Sequence, residues 1–305
     1  CCNYARRLRV LGAITTEVTQ AMNEQPPNNP LVPDVDEDLV VDLTDAHHGG
    51  VSVPTGVAAQ PSTAPEDSPQ EPHWAPPSVR NRMCLVLDTD DMVQAERSAL
   101  ALMPYFGVVK VGLELFSATG PNAIANLTDF GFDVFCDLKL HDIPTTVGRA
   151  ARVLGGLGAT FLTLHAHGGV DMMRAGVEGL AEGAANAGQT APKALAVTVL
   201  TSDDTALDHV APERMRWAME AGCGGLVLAA SDLHDAFTLA PRMTRVVPGI
   251  RQAGTETHDQ ARAATPGDAI RAGADLLVIG RAVTHADDPE AAAASIADEV
   301  SRALA

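Results

Sequence analysis

Two aspartates and a lysine stand close together at the end of one apolar segment, in the sequence DLKLHDIP that follows FDVFC. Burying a charge is costly unless it is paired, so the cluster is either a tolerated salt bridge or a reactive site. Side chains alternate along a strand, which predicts that Asp137 and Lys139 share one face. Asp142 is expected in the following loop, and Pro144 is expected to stop the strand and begin the next helix.

Eight short apolar segments after residue 82 are predicted to be strands. Helical patterns between them, at 91–103, 116–129 and 145–157, indicate βαβ units and a parallel sheet. The α/β class and the number of units predict a (β/α)8 TIM barrel over residues 81–305. A doubly wound open sheet is the alternative, weakened because no GxGxxG follows the first strand. The predicted strands are MCLVLD (83–88), VVKVG (108–112), FDVFCDLK (132–139), ATFLTLHA (159–166), KALAVTVLT (193–201), GGLVLAA (224–230), TRVVPG (244–249) and DLLVIG (275–280).

Residues 1–80 have a different composition from the rest of the chain. Residues 24–80 hold eleven of the twenty prolines, and the interval between Val10 and Val79 has eleven acids and neither lysine nor arginine. Such a segment buries too little apolar surface to offset the entropy of ordering it. We therefore predict a largely disordered, acidic, proline-rich N-terminal extension.

Charge and cysteine content exclude several classes of partner. The formal net charge of −18 argues against nucleic acid or an anionic membrane surface. No apolar run approaches the roughly 18–20 residues of a membrane span, and a secretory signal is not expected. Five cysteines without metal-ligand spacing favour a reducing cytoplasm, and Cys84 and Cys136 are expected in the core.

Polar residues fall where the predicted strands end. In (β/α)8 enzymes the catalytic residues lie at the C-terminal ends of the strands. These positions therefore predict one polar rim. They are Asp88, Lys110, Asp137, Lys139, His165, Thr201, Gly280 and Arg281.

Each charged residue of this rim also has a structural interpretation. Asp88 would simply cap the helix that follows DTDD. Lys110 would be a surface lysine that lays its stem along the protein. Asp137 and Lys139 would be a structural ion pair. Their joint occurrence on one rim favours a functional site.

The remaining polar positions leave alternatives open. His165 and His167 would serve as metal ligands only with a third ligand, which the sequence does not indicate. A strand-end histidine with its hydrogen bonds satisfied is the favoured interpretation. Thr201 would merely start a turn with Ser202 and Asp203.

DLKLHDIP has the pattern Asp-x-Lys-x-x-Asp and resembles the orotidine 5′-phosphate decarboxylase family. The segments LVLDTDD, VKVGLELF, TVLTSDD, VVPGIRQAG, THDQARAATP and LLVIGRAVTHADDP occur in that family's order over residues 83–305. The resemblance implies a carboxy-lyase that converts orotidine 5′-phosphate to UMP and CO2, without metal or organic cofactor. It also implies a homodimer.

The resemblance assigns roles to individual residues. Lys139 would donate the proton, and Asp142 would reach into the partner subunit's site. Two lysines and two aspartates sum to zero charge, so their burial leaves no stray ion. The implied catalytic residues are Lys110, Asp137, Lys139 and Asp142. The implied substrate-binding residues are Asp88, Lys110, Thr145, Thr146, Thr201, Arg251, Gln260, Gly280 and Arg281.

Two rival functions remain open from the sequence. Barrels of the 3-keto-L-gulonate 6-phosphate decarboxylase type share Asp-x-Lys-x-x-Asp but use Mg²⁺, with an acid where Lys110 stands here. A lysine at that position would repel the metal. A non-catalytic barrel that binds a phosphate ligand is the other rival, and the intact Asp137, Lys139 and Asp142 argue against it.

Overall fold

The structure, a computed structural model, describes residues 74–203, 205–251 and 264–305. Eight parallel strands form a closed barrel in sequence order, and the last strand pairs with the first. The predicted (β/α)8 architecture is confirmed. Disorder was predicted for residues 1–80; residues 1–73 lie outside those described, and for residues 74–80 the prediction is wrong, because they include a helix with buried Val79 and Arg80. The strands are β1 (Met83–Leu87), β2 (Val108–Val111), β3 (Asp133–Leu140), β4 (Phe161–His165), β5 (Lys193–Val197), β6 (Gly225–Val227), β7 (Thr244–Val247) and β8 (Leu276–Ile279).

Helices connect the strands and cover the outside of the barrel. Pro144 begins its helix, as predicted. The predicted single helix over 116–129 is wrong, because Gly120, with φ 65°, and Pro121 divide it into two. The helices are α1 (Pro77–Arg80), α2 (Met92–Leu102), α3 (Leu113–Thr119), α4 (Asn122–Asp129), α5 (Pro144–Gly156), α6 (Gly169–Asn186), α7 (Val210–Glu220), α8 (Leu233–Leu239), α9 (Pro266–Arg271), α10 (Arg281–Thr284) and α11 (Pro289–Leu304).

Strand β5 is shorter than the sequence predicted. It ends at Val197, although the N–H of Thr198 still donates to Val227 O. The chain then turns, with the Asp203 N–H donating to Leu200 O at 2.9 Å. Thr201 therefore lies in this turn beyond the strand instead of at its end.

Apolar side chains fill much of the barrel interior. Alternate residues of the strands point inward, and the intervening residues pack against the helices. Cys84 is one of the interior residues and Cys136 lies on the helix-packed face, so the predicted core positions of both cysteines are confirmed. The buried apolar residues of the interior are Cys84, Val86, Val108, Phe135, Leu195, Val246, Leu276 and Val278.

A bulge interrupts the pairing of β3 with β4. Cys136 pairs with Leu162, and the next pair joins Leu140 to Leu164. Four positions along β3 therefore span the same distance as two along β4. Bulges re-aim side chains beside functional sites, and this one lies where Asp137 and Lys139 occur.

Residues 74–80 pack on the barrel as part of the described structure. Val79 is buried, and the Arg80 guanidinium donates from Nε to Met103 O at 3.1 Å. The same guanidinium stacks on the Trp74 ring. No helix in the described part of the chain is long and apolar enough to cross a membrane.

Candidate active site

Asp137 is the centre of a charged array at the C-terminal mouth of the barrel. Lys139 Nζ lies 2.9 Å from both carboxylate oxygens of Asp137. Lys110 Nζ, projecting from β2, lies 3.6 Å from Asp137 Oδ2 and 3.5 Å from Asp88 Oδ1. The structure therefore brings together four residues that the sequence predicted for the site.

The array contains equal numbers of positive and negative charges. The Lys110 and Asp137 side chains are only 12% and 13% exposed, whereas the Asp88 side chain is 64% exposed. Such burial rules out the interpretation of Lys110 as a surface lysine. Asp88 is not the cap of α2 either, because Asp91 accepts the N–H groups of that helix.

The Asp137 carboxylate is held in its ionised form. Burial alone would raise the pKa of this carboxyl group. The Lys110 and Lys139 ammonium groups, with hydrogen bonds from Lys139 and Thr163, outweigh burial and hold the pKa below its ordinary value. At neutral pH the site therefore presents a fixed negative charge beside two ammonium groups.

The backbone of Lys139 adopts a left-handed conformation. Its φ of 48° is the only positive φ of a non-glycine residue in the described ranges. A side chain in this region costs about 1–2 kcal/mol, and such residues concentrate at functional sites. This conformation is part of the β3 bulge. The irregular backbone of the bulge therefore places Lys139 against Asp137, which regular alternation along a strand would not explain.

Thr163 is a site residue that the sequence analysis missed. This residue of β4 is fully buried, and its hydroxyl donates to Asp137 Oδ1 at 3.0 Å. The Thr163 hydroxyl oxygen in turn accepts the N–H of Lys139 at 2.8 Å. A buried hydroxyl within FLTLH was a signal, because inward residues of neighbouring strands meet in one layer of a barrel.

Gly112 provides space for the array. A Cβ atom at this position would lie 2.8 Å from Lys110 Nζ and 3.3 Å from Asp88 Oδ1. The residue directly follows β2, within VKVGLELF. A side chain there would displace the Lys110 ammonium group.

Asp142 is not part of the array. Its carboxylate accepts the Ile143 N–H at 2.7 Å, and it forms no ion pair with a lysine or arginine among the residues described. Thr145 and Thr146 are exposed in the first turn of α5. These three residues lie on the segment that leads from the array into α5.

The predicted phosphate-binding residues lie beyond β7 and β8. Arg251 follows the β7 loop, is buried, and donates from Nη1 to Ile250 O at 2.8 Å. Gly280 and Arg281 follow β8, where Arg281 begins α10. Gln260 lies outside the described residues, so its predicted role stays a prediction.

Three histidine rings meet beside the array. His141 lies 5.5 Å, between ring centroids, from both His165 and His167. Burial, followed by electrostatic interactions with His141, Arg214, His167 and Lys139, lowers the pKa of His165 to about 4. No group of histidine, cysteine or carboxylate side chains among the residues described has the geometry to hold a metal ion.

A closed parallel barrel with paired lysines and carboxylates at its mouth defines a class: a (β/α)8 barrel with a charged array at the C-terminal ends of its strands. Residues 81–296 match the family described as "Orotidine 5'-phosphate decarboxylase / HUMPS family". The chain belongs to this family.

Named relatives cover most of the barrel. Orotidine 5'-phosphate decarboxylase of Anaeromyxobacter dehalogenans (strain 2CP-1 / ATCC BAA-258) is 46% identical over 227 residues, which are 71% of this chain and 96% of that protein. The protein of the same name from Moorella thermoacetica (strain ATCC 39073 / JCM 9320) is 41% identical over 234 residues, covering 73% and 93% respectively. The crystal structure of orotidine 5'-phosphate decarboxylase from Lactobacillus acidophilus has a TM-score of 0.60 at 34% identity, covering 72% of this chain and 99% of that one.

Proposed function

We propose that this protein is a carboxy-lyase that converts orotidine 5′-phosphate to UMP and CO2, the last step of pyrimidine nucleotide synthesis. The family match and the named relatives support this reaction. The observation that carries it is the Lys110–Asp137–Lys139 array, in which one buried carboxylate is held between two ammonium groups.

The array can supply both charge stabilisation and a proton. The pyrimidine carboxylate would lie beside Asp137, and the bond from C6 to CO2 breaks with its electron pair left on C6. The Lys139 ammonium group then donates its proton to that carbon, giving UMP and a neutral lysine. Each step uses groups of this chain, and no metal or organic cofactor takes part.

The ribose and phosphate provide the remaining contacts of the proposal. Asp88 and Lys110 would hold the ribose hydroxyl groups, and Thr145, Thr146 and Thr201 would contact the pyrimidine and its surroundings. The phosphate would be bound after β7 and β8, by Arg251, Gln260, Gly280 and Arg281. Phosphate sites of (β/α)8 barrels are frequent at these two loops. Binding energy from this remote group lowers the barrier only where it organises the reacting groups.

The proposal includes a homodimer in which Asp142 enters the partner subunit's site. In a single protomer Asp142 is exposed and forms no ion pair within the described structure. Its neighbour Ile143 is 65% exposed, and Leu113, which follows β2, is 59% exposed. These apolar side chains beside the mouth are suited to burial against a second copy.

We place the enzyme in the cytoplasm. The three described cysteines, Cys84, Cys136 and Cys223, are buried free thiols. Free thiols persist in a reducing compartment.

The deciding experiment is an ultraviolet assay of orotidine 5′-phosphate consumption by the purified protein, run with and without excess EDTA. We expect the same turnover in both. Activity that disappears with EDTA and returns with Mg²⁺ would favour the 3-keto-L-gulonate 6-phosphate decarboxylase type. Binding of the nucleotide without turnover would favour the non-catalytic barrel.

A further inference from the structure

We propose that Thr163 is a positioning residue of this site, which holds the Lys139 backbone in its left-handed conformation and fixes the orientation of the Asp137 carboxylate. Thr163 acts through these two residues and does not contact the reacting atoms. The consequence for turnover rests on the proposed function, whereas the structural role does not.

The hydrogen bonds of Thr163 close a ring. Its hydroxyl donates to Asp137 Oδ1 at 3.0 Å, and the same carboxylate oxygen accepts from Lys139 Nζ at 2.9 Å. The backbone N–H of Lys139 returns to the Thr163 hydroxyl at 2.8 Å. Both ends of Lys139, its peptide nitrogen and its ammonium group, are thus tied to one buried hydroxyl and one carboxylate.

The β3 bulge explains why a hydroxyl is needed at this position. Where β3 departs from regular pairing with β4, the Lys139 N–H uses a side-chain acceptor. A buried N–H that loses its acceptor destabilises the folded protein. A hydroxyl is at once donor and acceptor, so Thr163 can serve the Lys139 N–H and the Asp137 carboxylate together.

A valine at position 163 has nearly the same shape but can serve neither group. The left-handed backbone of Lys139 would then lose the hydrogen bond that stabilises it, and its ammonium group would no longer be fixed. Asp137 would lose one of the hydrogen bonds that favour its ionised form. The proton donor and its counter-charge would both be less well placed for protonation at carbon.

The chain contains a matched control for this change. Thr198, just beyond β5, is also fully buried, and its hydroxyl donates to Val227 O at 3.1 Å. Thr198→Val therefore removes a buried barrel hydroxyl whose partner is a backbone carbonyl outside the array. Thr163→Val should lose more thermal stability than Thr198→Val, because the Val227 carbonyl still accepts the Thr198 N–H, so the two variants are compared by kcat.

The experiment measures kcat, KM and thermal midpoint for wild type, Thr163→Val, Thr163→Ser and Thr198→Val. We expect Thr163→Val to lower kcat about 10- to 100-fold, the range that a small misplacement of a reacting group produces. KM should change far less, Thr163→Ser should restore most of kcat, and Thr198→Val should keep wild-type kcat. Equal losses of kcat in both valine variants, or a serine variant as slow as the valine variant, would overturn the proposal.

A second readout separates this inference from the proposed function. Titration of the Asp137 carboxyl by carbon NMR requires no substrate, and its pKa should rise in Thr163→Val and return toward the wild-type value in Thr163→Ser. If wild type fails to consume orotidine 5′-phosphate, the proposed reaction is wrong while this titration still decides the role of Thr163. An unchanged Asp137 pKa in Thr163→Val would reject that role even in an active enzyme.

Discussion

The Lys110 ammonium group occupies the space that a side chain at Gly112 would fill. A Cβ atom at Gly112 would come within 2.8 Å of Lys110 Nζ. Glycine at this position therefore serves the array through its small size, since the residue lies directly beside the end of β2. This relationship gives the first prediction.

Gly112→Ala should lower kcat/KM about 10- to 100-fold, because the Lys110 ammonium group must move away from Asp137. The thermal midpoint should change little, since the displaced atom is the end of a flexible side chain. Gly156→Ala is the control, because its Cβ would make only ordinary contacts, the nearest at 3.5 Å. Steady-state kinetics and thermal melts check both variants. Wild-type kinetics for Gly112→Ala would contradict the prediction.

Lys139→Ala should reduce turnover by about 1000-fold or more, because the loss of a general acid typically costs about 100- to 10,000-fold in rate. Binding of UMP, measured by calorimetry, should persist, because the proposed ribose and phosphate contacts remain. The sequence contains only two other lysines, Lys110 and Lys193. Lys193 contacts Thr244 at the N-terminal end of β7, far along the strands from the array. Lys193→Ala is therefore the matched control and should keep wild-type kcat, and unchanged turnover in Lys139→Ala would remove Lys139 from its proposed role.

Mixing two inactive variants tests whether Asp142 acts across a dimer. Lys139→Ala and Asp142→Ala should each be inactive alone. After subunit exchange in an equal mixture, about a quarter of wild-type activity should return, because half the dimers are mixed and each has one intact site. The assay follows turnover against time of mixing. Recovery is impossible if Asp142 serves the site of its own subunit, so its absence after verified exchange would reject the shared site.

Acidification should destabilise the fold through His165. Its pKa in the folded protein is about 4, against an ordinary value of 6.5, so the unfolded chain takes up a proton first as the pH falls. The stability of wild type should therefore decrease between about pH 6.5 and pH 4. His165→Gln should show a smaller decrease in thermal midpoint between pH 7 and pH 5. His234→Gln, at an exposed position on α8, is the control and should follow wild type; equal slopes in all three proteins would contradict the prediction.

Two deletions test the boundary of the barrel. The sequence predicts an N-terminal extension over residues 1–80, whereas Val79 and Arg80 are buried against the described barrel. Removing residues 1–73 should leave kcat and the thermal midpoint nearly unchanged. Removing residues 1–80 should lower the midpoint by on the order of 5 °C, because the burial of Val79 and the Arg80 hydrogen bonds are lost. A large loss of kcat in the shorter deletion would show that the extension takes part in the activity.

The sequence predicted those parts of the fold that depend on local pattern. Apolar segments separated by helical periodicity were sufficient for eight strands and a barrel. The barrel rule then placed Lys110 and Asp137 at one mouth, and the contacts of Asp137 with Lys110 and Lys139 are observed. The break at Gly120 and Pro121 was also readable, since this pair is a turn signal, but the apolar pattern on both sides concealed it.

The parts that the sequence did not predict depend on contacts between distant residues. The conformation of Lys139 and the role of Thr163 both follow from the shifted pairing of β3 with β4, which no local pattern encodes. The meeting of His141 with His165 and His167 likewise requires the loop after β3 to lie over the end of β4. Prediction of the site from the sequence was limited by how far apart the contacting residues lie along the chain, more than by their residue types.

The bulge of β3 adds two residues relative to β4, and that even number preserves parity. Leu140 pairs with Leu164 just as Cys136 pairs with Leu162, so the chain resumes its in-and-out order before entering α5. Excising one residue of the bulge would turn Leu140 away from the helix-packed face on which it now lies, whereas excising two would keep its face. Strand β3 can therefore carry an irregular charged segment without changing the face of the residue that leads into the loop before α5.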